Sequence, residues 1–233
     1  MEPELKNTKK EHDEYTGRIL RIVLKPFVHL LTHHTSVTPN QITLTSIIPA
    51  LLGIFFLRQG GYQYTLFGAL SCFLYVLLDA VDGQLARERN QSSLLGKWFD
   101  GILGYILVPF MMLAAAIGLP QSSALIVGAI AALCFPIQFT LIYFFNSEIK
   151  RNNERIELPV SSKWRSWRYA YGLALFFPLL LFGALLNQVF YVLLFFATIG
   201  HLYWLVLLAV QYWTLKSEMN KGEVNESEMN KNK

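Results

Sequence analysis

Asp79-Ala80-Val81-Asp82-Gly83-Gln84-Leu85-Ala86-Arg87 closes an apolar run that begins at Tyr62, and eight residues later Gly96-Lys97-Trp98-Phe99-Asp100 opens the next. Three of the chain's four aspartates lie in these two strings; the other is Asp13. Asp79 and Asp82 are three apart and share one helical face. Asp100 falls on the following helix, which must run antiparallel after so short a connection, so the three carboxylates can converge. A carboxylate inside a spanning helix costs a few kcal/mol on insertion scales, and a residue that bears this cost is a functional-site candidate. Three uncompensated carboxylates in one dry pocket would repel each other. A divalent cation relieves that repulsion, and hard oxygen ligands favour Mg²⁺, Mn²⁺ or Ca²⁺ over zinc. Gly83 lets backbone or ligand approach closely. Ala86, seven after Asp79, keeps the same face narrow. Arg87 is a fixed cation suited to a phosphate oxygen. Gly96, four before Asp100, clears the facing helix.

The rest of the chain places this cluster in a membrane. Of 233 residues, 53% are hydrophobic and 15% charged, with a mean hydropathy of +0.36. Soluble domains carry about 25% charged residues. Apolar runs of about 20 residues span a hydrocarbon core. Six such segments are expected, near Pro39–Leu57, Tyr62–Val81, Leu94–Gly118, Ser123–Phe145, Tyr169–Leu186 and Val189–Tyr212. Before them, Ile19, Leu20, Val23, Phe27, Leu30 and Leu31 recur at helical spacing, with Arg18, Arg21, Lys25 and His29 largely between them. That pattern predicts an amphipathic helix in the membrane interface, bent at Pro26. The expected fold is therefore all-α and membrane-integral. Residues 1–14 form a disordered N-terminus, 15–212 the membrane domain, and 213–233 a disordered polar tail in which Ser-Glu-Met-Asn-Lys occurs twice. Cys72 and Cys134 sit inside apolar runs and read as small core residues with no disulfide.

Orientation follows from Lys and Arg in short connections. The 82–93 connection holds Arg87 and Arg89, and the 146–168 connection holds Lys150, Arg151, Arg155, Lys163, Arg165 and Arg168; the opposite connections hold only Arg58. Both termini and the two basic connections are expected in the cytoplasm, with the bilayer an inner or cytoplasmic membrane. The net charge of +4 is modest, and nucleic acid is not expected as a partner. Lys150, Arg151, Arg155, Lys163 and Arg165 crowd the membrane edge on the aspartates' side, where they would hold a phosphorylated acceptor.

Asp79-x-x-Asp82-Gly83-x-x-Ala86-Arg87, eight residues, then Gly96-x-x-x-Asp100 resembles the signature of the CDP-alcohol phosphotransferases. Thr38-Pro39-Asn40-Gln41-Ile42-Thr43-Leu44 also resembles that family's entry into its first spanning helix. The likeness covers about residues 15 to 212. It implies cleavage of a CDP-linked alcohol, transfer of its phosphoryl-alcohol part to an acceptor, and release of CMP. It implies that Asp79, Asp82 and Asp100 hold Mg²⁺ or Mn²⁺, with Asp100 catalytic. It implies that Asn40, Gly83, Ala86, Ser93 and Gly96 line the nucleotide site, that Arg87 lies at its edge, and that the protein is a homodimer. The short body is similar to members that use CDP-diacylglycerol and a small polar acceptor, either inositol-phosphate-like or a phosphate or phosphonate.

One position departs from the family pattern. A fourth aspartate, usually assigned as general base, is expected four residues after the third, and here Gly104 stands there. His201, Glu148, Glu14, His33 or His34 would have to substitute, or the acceptor would ionise unaided. The alternative is an impaired relative acting as a membrane scaffold. A carboxylate placed at 104, one turn beyond Asp100, is expected to face the same cleft.

Overall fold

The structure is a computed structural model that describes residues 15–91, 93–150 and 171–231; the side chains of 15–18, 95, 97, 100, 150 and 221–231 lie outside that description. It is an all-α membrane protein, and among the described residues there is no strand. In chain order the helices are α1 (Tyr15–His34), α2 (Pro39–Gln59), α3 (Tyr62–Glu88), α4 (Leu94–Gly118), α5 (Ala124–Phe144), α6 (Phe176–Leu185), α7 (Val189–Phe195) and α8 (His201–Lys231). A π-helical turn, Phe145–Lys150, extends α5; a 3₁₀ turn, Leu173–Leu175, leads into α6; a second π turn, Phe196–Gly200, joins α7 to α8.

Five segments are long and apolar enough to cross a bilayer: Pro39–Gln59, Tyr62–Glu88, Gly101–Gly118, Ala124–Ile149 and Val189–Asn220. The sixth expected span is represented by a shorter apolar helix, Leu173–Leu185, about 20 Å long at 1.5 Å per residue. α1 carries Pro26 internally, and Ile19, Ile22, Val23, Phe27 and Leu30 are all exposed along it. The polar stretch after Lys216, expected to be irregular, is instead helical to Lys231 as a continuation of α8. Glu, Lys and Met are good helix formers, and a helix already started needs no new nucleus.

The start of α2 is closely specified. Thr38 Oγ1 accepts from the Gln41 amide at 3.4 Å, and Gln41 Oε1 accepts from the Thr38 amide at 2.8 Å. Pro39 follows at the first helical position, where its missing N–H costs nothing. At the other end, Gly60 and Gly61 take φ values of 72° and 78°, which turn the chain into α3 at little cost. α2 and α3 then pack at short range. A Cβ on Gly53 would lie 2.4 Å from Cys72 Sγ, and one on Gly68 would lie 2.8 Å from the Leu57 amide nitrogen. Lipid is as apolar as leucine, so helix association in a bilayer depends on such close van der Waals contact.

The central core is aromatic. Phe135 of α5 and Phe196 of the second π turn are fully buried against Tyr171, and the buried Phe176 of α6 packs on Phe196. Tyr75 of α3 meets Phe177 of α6 at 5.7 Å between ring centroids. Cys72 and Cys134 are free and buried, as expected. A second, smaller cluster of Val28, Ile42, Val81 and Leu85 ties α1 and α2 to the end of α3.

Gly68→Val would set methyl groups against the Leu57 backbone, so it is expected to destabilise the protein by about 1–3 kcal/mol in thermal unfolding in detergent. Gly101→Ala, whose Cβ would meet nothing within 4 Å, is expected to leave stability unchanged or raise it by up to about 1 kcal/mol.

Candidate active site

α3 presents its polar residues over its last three turns. Asp79 is half-buried, Asp82 only 4% exposed, and Arg87 exposed near the helix end. The buried Asp82 is held from α2, where Thr43 Oγ1 donates to its Oδ2 at 2.6 Å, within the range of a charge-assisted bond. The Pro39 carbonyl lies 3.2 Å from the same hydroxyl, so the bond starts from a side chain already oriented by its own helix. Arg87 folds back over Gly83: a Cβ there would sit 3.6 and 3.8 Å from its two terminal nitrogens.

α4 enters from the opposite side. Ser93 caps it, with Oγ accepting from the Gly96 amide at 2.9 Å. A Cβ on Gly96 would lie 2.9 Å from that Oγ and 3.4 Å from Asn40 Oδ1. The glycine therefore lets the α2 and α4 N-termini approach with their polar side chains between them. Below this point the helices part, leaving a cleft of about 120 Å³. Asn40, Thr43 and Gly96 line its polar end, and Leu44, Ile47, Phe99 and Leu103 its apolar walls.

The structure thus brings Asn40, Ser93 and Gly96 together, with Gly83 next to Asp82 in the chain and Arg87 a little over one helical turn beyond it. Ala86 is half-buried on the same helix. The backbone of Asp100 lies in α4 and its side chain falls outside the described residues, as does that of Lys150 at the end of the first π turn. Arg151, Arg155, Lys163 and Arg165 also lie outside them. Among the described residues no three His, Cys, Asp or Glu side chains form a metal-binding group. The donors that are described, two carboxylates and a threonine hydroxyl, are all hard oxygens, and that set suits Mg²⁺ or Mn²⁺ better than a thiophilic ion.

Two expectations about the missing base change. Gly104 is buried, and a Cβ there would lie 2.4 Å from Leu173 Cδ2. The direction expected to open on the cleft is filled by a leucine from the turn before α6. His201 is engaged through both ring nitrogens. Trp204 Nε1 donates to its Nδ1 at 2.8 Å, so the ring proton is on Nε2, which donates to the Ile130 carbonyl at 2.8 Å. An imidazole held in this way ties α8 to α5 and has no lone pair left for a substrate proton. His33 and His34 are exposed at the end of α1. Sequence reasoning did not single out Thr43 or Arg89. Thr43 lay within the quoted α2 entry segment, but nothing local revealed its partner.

Comparison with known proteins agrees with the geometry. The family model for CDP-alcohol phosphatidyltransferase matches residues 36–213, more than half of the chain. Cholinephosphotransferase 1 of Gallus gallus is 31% identical over 127 residues, covering 50% of this chain and 38% of its own. Cholinephosphotransferase 1 of Mus musculus is 36% identical over 87 residues, 34% of this chain and 22% of its own. Choline/ethanolaminephosphotransferase 1 of Saccharomyces cerevisiae is 36% identical over 101 residues, 39% and 26% respectively. The matched regions span well under half the length of each of these curated relatives.

Gly104→Asp is expected to lower the melting temperature, because it drives a carboxylate into the Leu173 methyl groups; overpacking of this kind costs about 1–3 kcal/mol before any charge is buried. Leu173→Ala in the same chain is expected to recover a large part of that loss, a non-additivity that thermal unfolding of the two single variants and the double variant measures.

Proposed function

Because this chain belongs to the CDP-alcohol phosphatidyltransferase family, we propose that it is an integral membrane transferase acting on a CDP-linked alcohol at the junction of α2, α3 and α4. The observation that carries this reading is the buried Asp82 carboxylate, oriented by Thr43 at the polar end of a cleft between α2 and α4. In the proposed reaction the acceptor oxygen bonds to the phosphorus that bears the alcohol. The bond from that phosphorus to the bridging oxygen breaks, CMP leaves with the bridge, and a hydroxyl acceptor's proton passes to solvent, whereas an ionised acceptor oxygen has none to lose.

Asp79, Asp82 and Asp100 would hold Mg²⁺ or Mn²⁺, with Asp100 nearest the chemistry. The bound ion would neutralise charge on the pyrophosphate and on the departing CMP. The protein's own share is positioning. Thr43 fixes one Asp82 oxygen and so sets the orientation of the carboxylate. Arg87, lying over Gly83, offers a planar fork to phosphate oxygens. Asn40 and Ser93, brought close by Gly96, would meet the nucleotide. Ala86 would leave room for it on the α3 face. Lys150, Arg151, Arg155, Lys163 and Arg165 would gather the phosphorylated acceptor. The Lys and Arg asymmetry supports a cytoplasmic active site and cytoplasmic termini, and the family resemblance supports a homodimer.

Two substrate pairings follow. In the first, the donor is CDP-diacylglycerol-like and the acceptor small and polar, either inositol-phosphate-like or a phosphate or phosphonate. An acceptor already ionised at neutral pH suits a chain with Gly104 in place of a carboxylate. In the second, favoured by the names of the relatives, a small phosphoalcohol such as cholinephosphate moves from its CDP ester to a lipid acceptor. Both place a lipid beside a polar site in the membrane plane.

The purified protein in lipid nanodiscs with Mg²⁺ or Mn²⁺ is expected to release CMP from one of the two donors. CMP chromatography with CDP-diacylglycerol plus inositol phosphate, and with CDP-choline plus diacylglycerol, identifies which. Asp82→Asn is expected to lower turnover by roughly 100-fold or more, since it removes the charge that holds the cation. Silence with both donors and both metals leaves the scaffold reading.

A further inference from the structure

Arg89 entered above only as a basic residue of the 82–93 connection, yet its side chain makes four hydrogen bonds near the site. It closes α3, and its guanidinium reaches across to the corner between α1 and α2. Nη1 donates to the Val37 carbonyl at 2.5 Å. Nη2 donates to Leu31 at 2.6 Å and Thr35 at 2.7 Å, with the Thr32 carbonyl at 3.3 Å. The last carbonyls of a helix have no partner within it, and a basic side chain satisfies them. Here the cap comes from another helix. The neighbouring Glu88 adds a second tie, accepting from Thr32 Oγ1 at 2.9 Å.

The corner that Arg89 holds leads directly into the site. Val37 is followed by the Thr38 capping box, then by Asn40 at the cleft and by Thr43 on Asp82. α3 therefore grips the same short segment twice. Arg89 holds it at residues 31–37, and Asp82, two turns earlier on α3, holds it at Thr43. The Val28, Ile42, Val81 and Leu85 cluster fills the space between the two grips. Motion of the corner would carry Asn40 and Thr43 with it, and would break the Thr43 bond to Asp82.

We infer that Arg89 is a positioning residue for the transfer, a clamp that sets the register of the α2 N-terminus against Asp82 and so the affinity for the CDP-linked substrate. The inference rests on the function proposed above. A planar fork is required, because the four carbonyls are spread over seven residues. An ammonium group is a point charge and would satisfy only part of the set.

The test compares wild type, Arg89→Lys and Arg89→Gln in nanodiscs by two readouts. Amide hydrogen exchange tests the clamp itself. Residues 35–43 should exchange faster in both variants, more so in Arg89→Gln, with α5 and α8 unchanged. CMP release tests the consequence. KM for the CDP-linked donor should rise by about 10-fold in Arg89→Gln and by less in Arg89→Lys, while kcat changes less than KM. Thr43→Val should add little to KM in the Arg89→Gln background, since the register is already lost. Unchanged exchange at 35–43, exchange that rises evenly over all helices, or a wild-type KM in both variants would overturn the inference. A wild type that releases no CMP from either donor would instead refute the proposed function, and exchange alone would then decide whether Arg89 clamps the corner.

Discussion

A carboxylate in the interior of a membrane protein must be held by polar partners or it disrupts the helices around it. Asp82 sets this constraint here. It is almost fully buried, and the Thr43 hydroxyl that meets it comes from a helix whose start is defined to the residue. The Thr38–Gln41 box fixes where α2 begins, and that start decides which side chain of α2 reaches Asp82. A start displaced by one residue would turn Thr43 about 100° away, since each helical residue advances by that angle. Local capping chemistry and the long-range contact are therefore one specification.

The three helices of the site divide their roles through side-chain size. α2 and α3 meet where Gly53 and Gly68 remove side chains, and they form the rigid pair that carries Asp82 and Thr43. α2 and α4 touch at Gly96 and part below it, where Leu44, Ile47, Phe99 and Leu103 wall a cleft. Close packing supplies precision where an oxygen must be aimed. A looser crossing supplies room where a ligand would lie. The amphiphilic lining, polar at the helix starts and apolar deeper, matches a substrate with a charged phosphate part and an apolar or aromatic part.

The far side of the molecule serves as support. His201 lies where a catalytic histidine would attract attention, but Trp204 and the Ile130 carbonyl consume both nitrogens. It follows the π turn Phe196–Gly200, where a widened turn lets Gly200 pack against Tyr171 and Cys134. Leu173, from the turn before α6, fills the space over Gly104. The missing side chain at that position is thus matched by an apolar group from another element.

Much was legible in the residues themselves. The apolar runs located five full spans, although that of α3 ends at Glu88 rather than Val81 and the last at Asn220 rather than Tyr212, and the i, i+3 spacing puts Asp79 and Asp82 on one face of α3. The Gly-x-x-x-Asp string placed Gly96 at the start of α4, where it meets Asn40 of α2. These are local properties, because helical period, capping and glycine content act within a few residues. The sixth span was expected longer than the apolar helix observed, and the polar tail less regular, because neither a packed partner nor the continuation of an existing helix is visible in composition. Only the tertiary structure decided that Thr43 orients Asp82, that Arg89 caps α1 from α3, and that Leu173 occupies the direction Gly104 faces. Each of these contacts joins residues 39 or more apart in the chain. Their partners depend on the angle and rotation at which two helices cross, which is set by the sum of many packing contacts and is written in no single stretch of sequence.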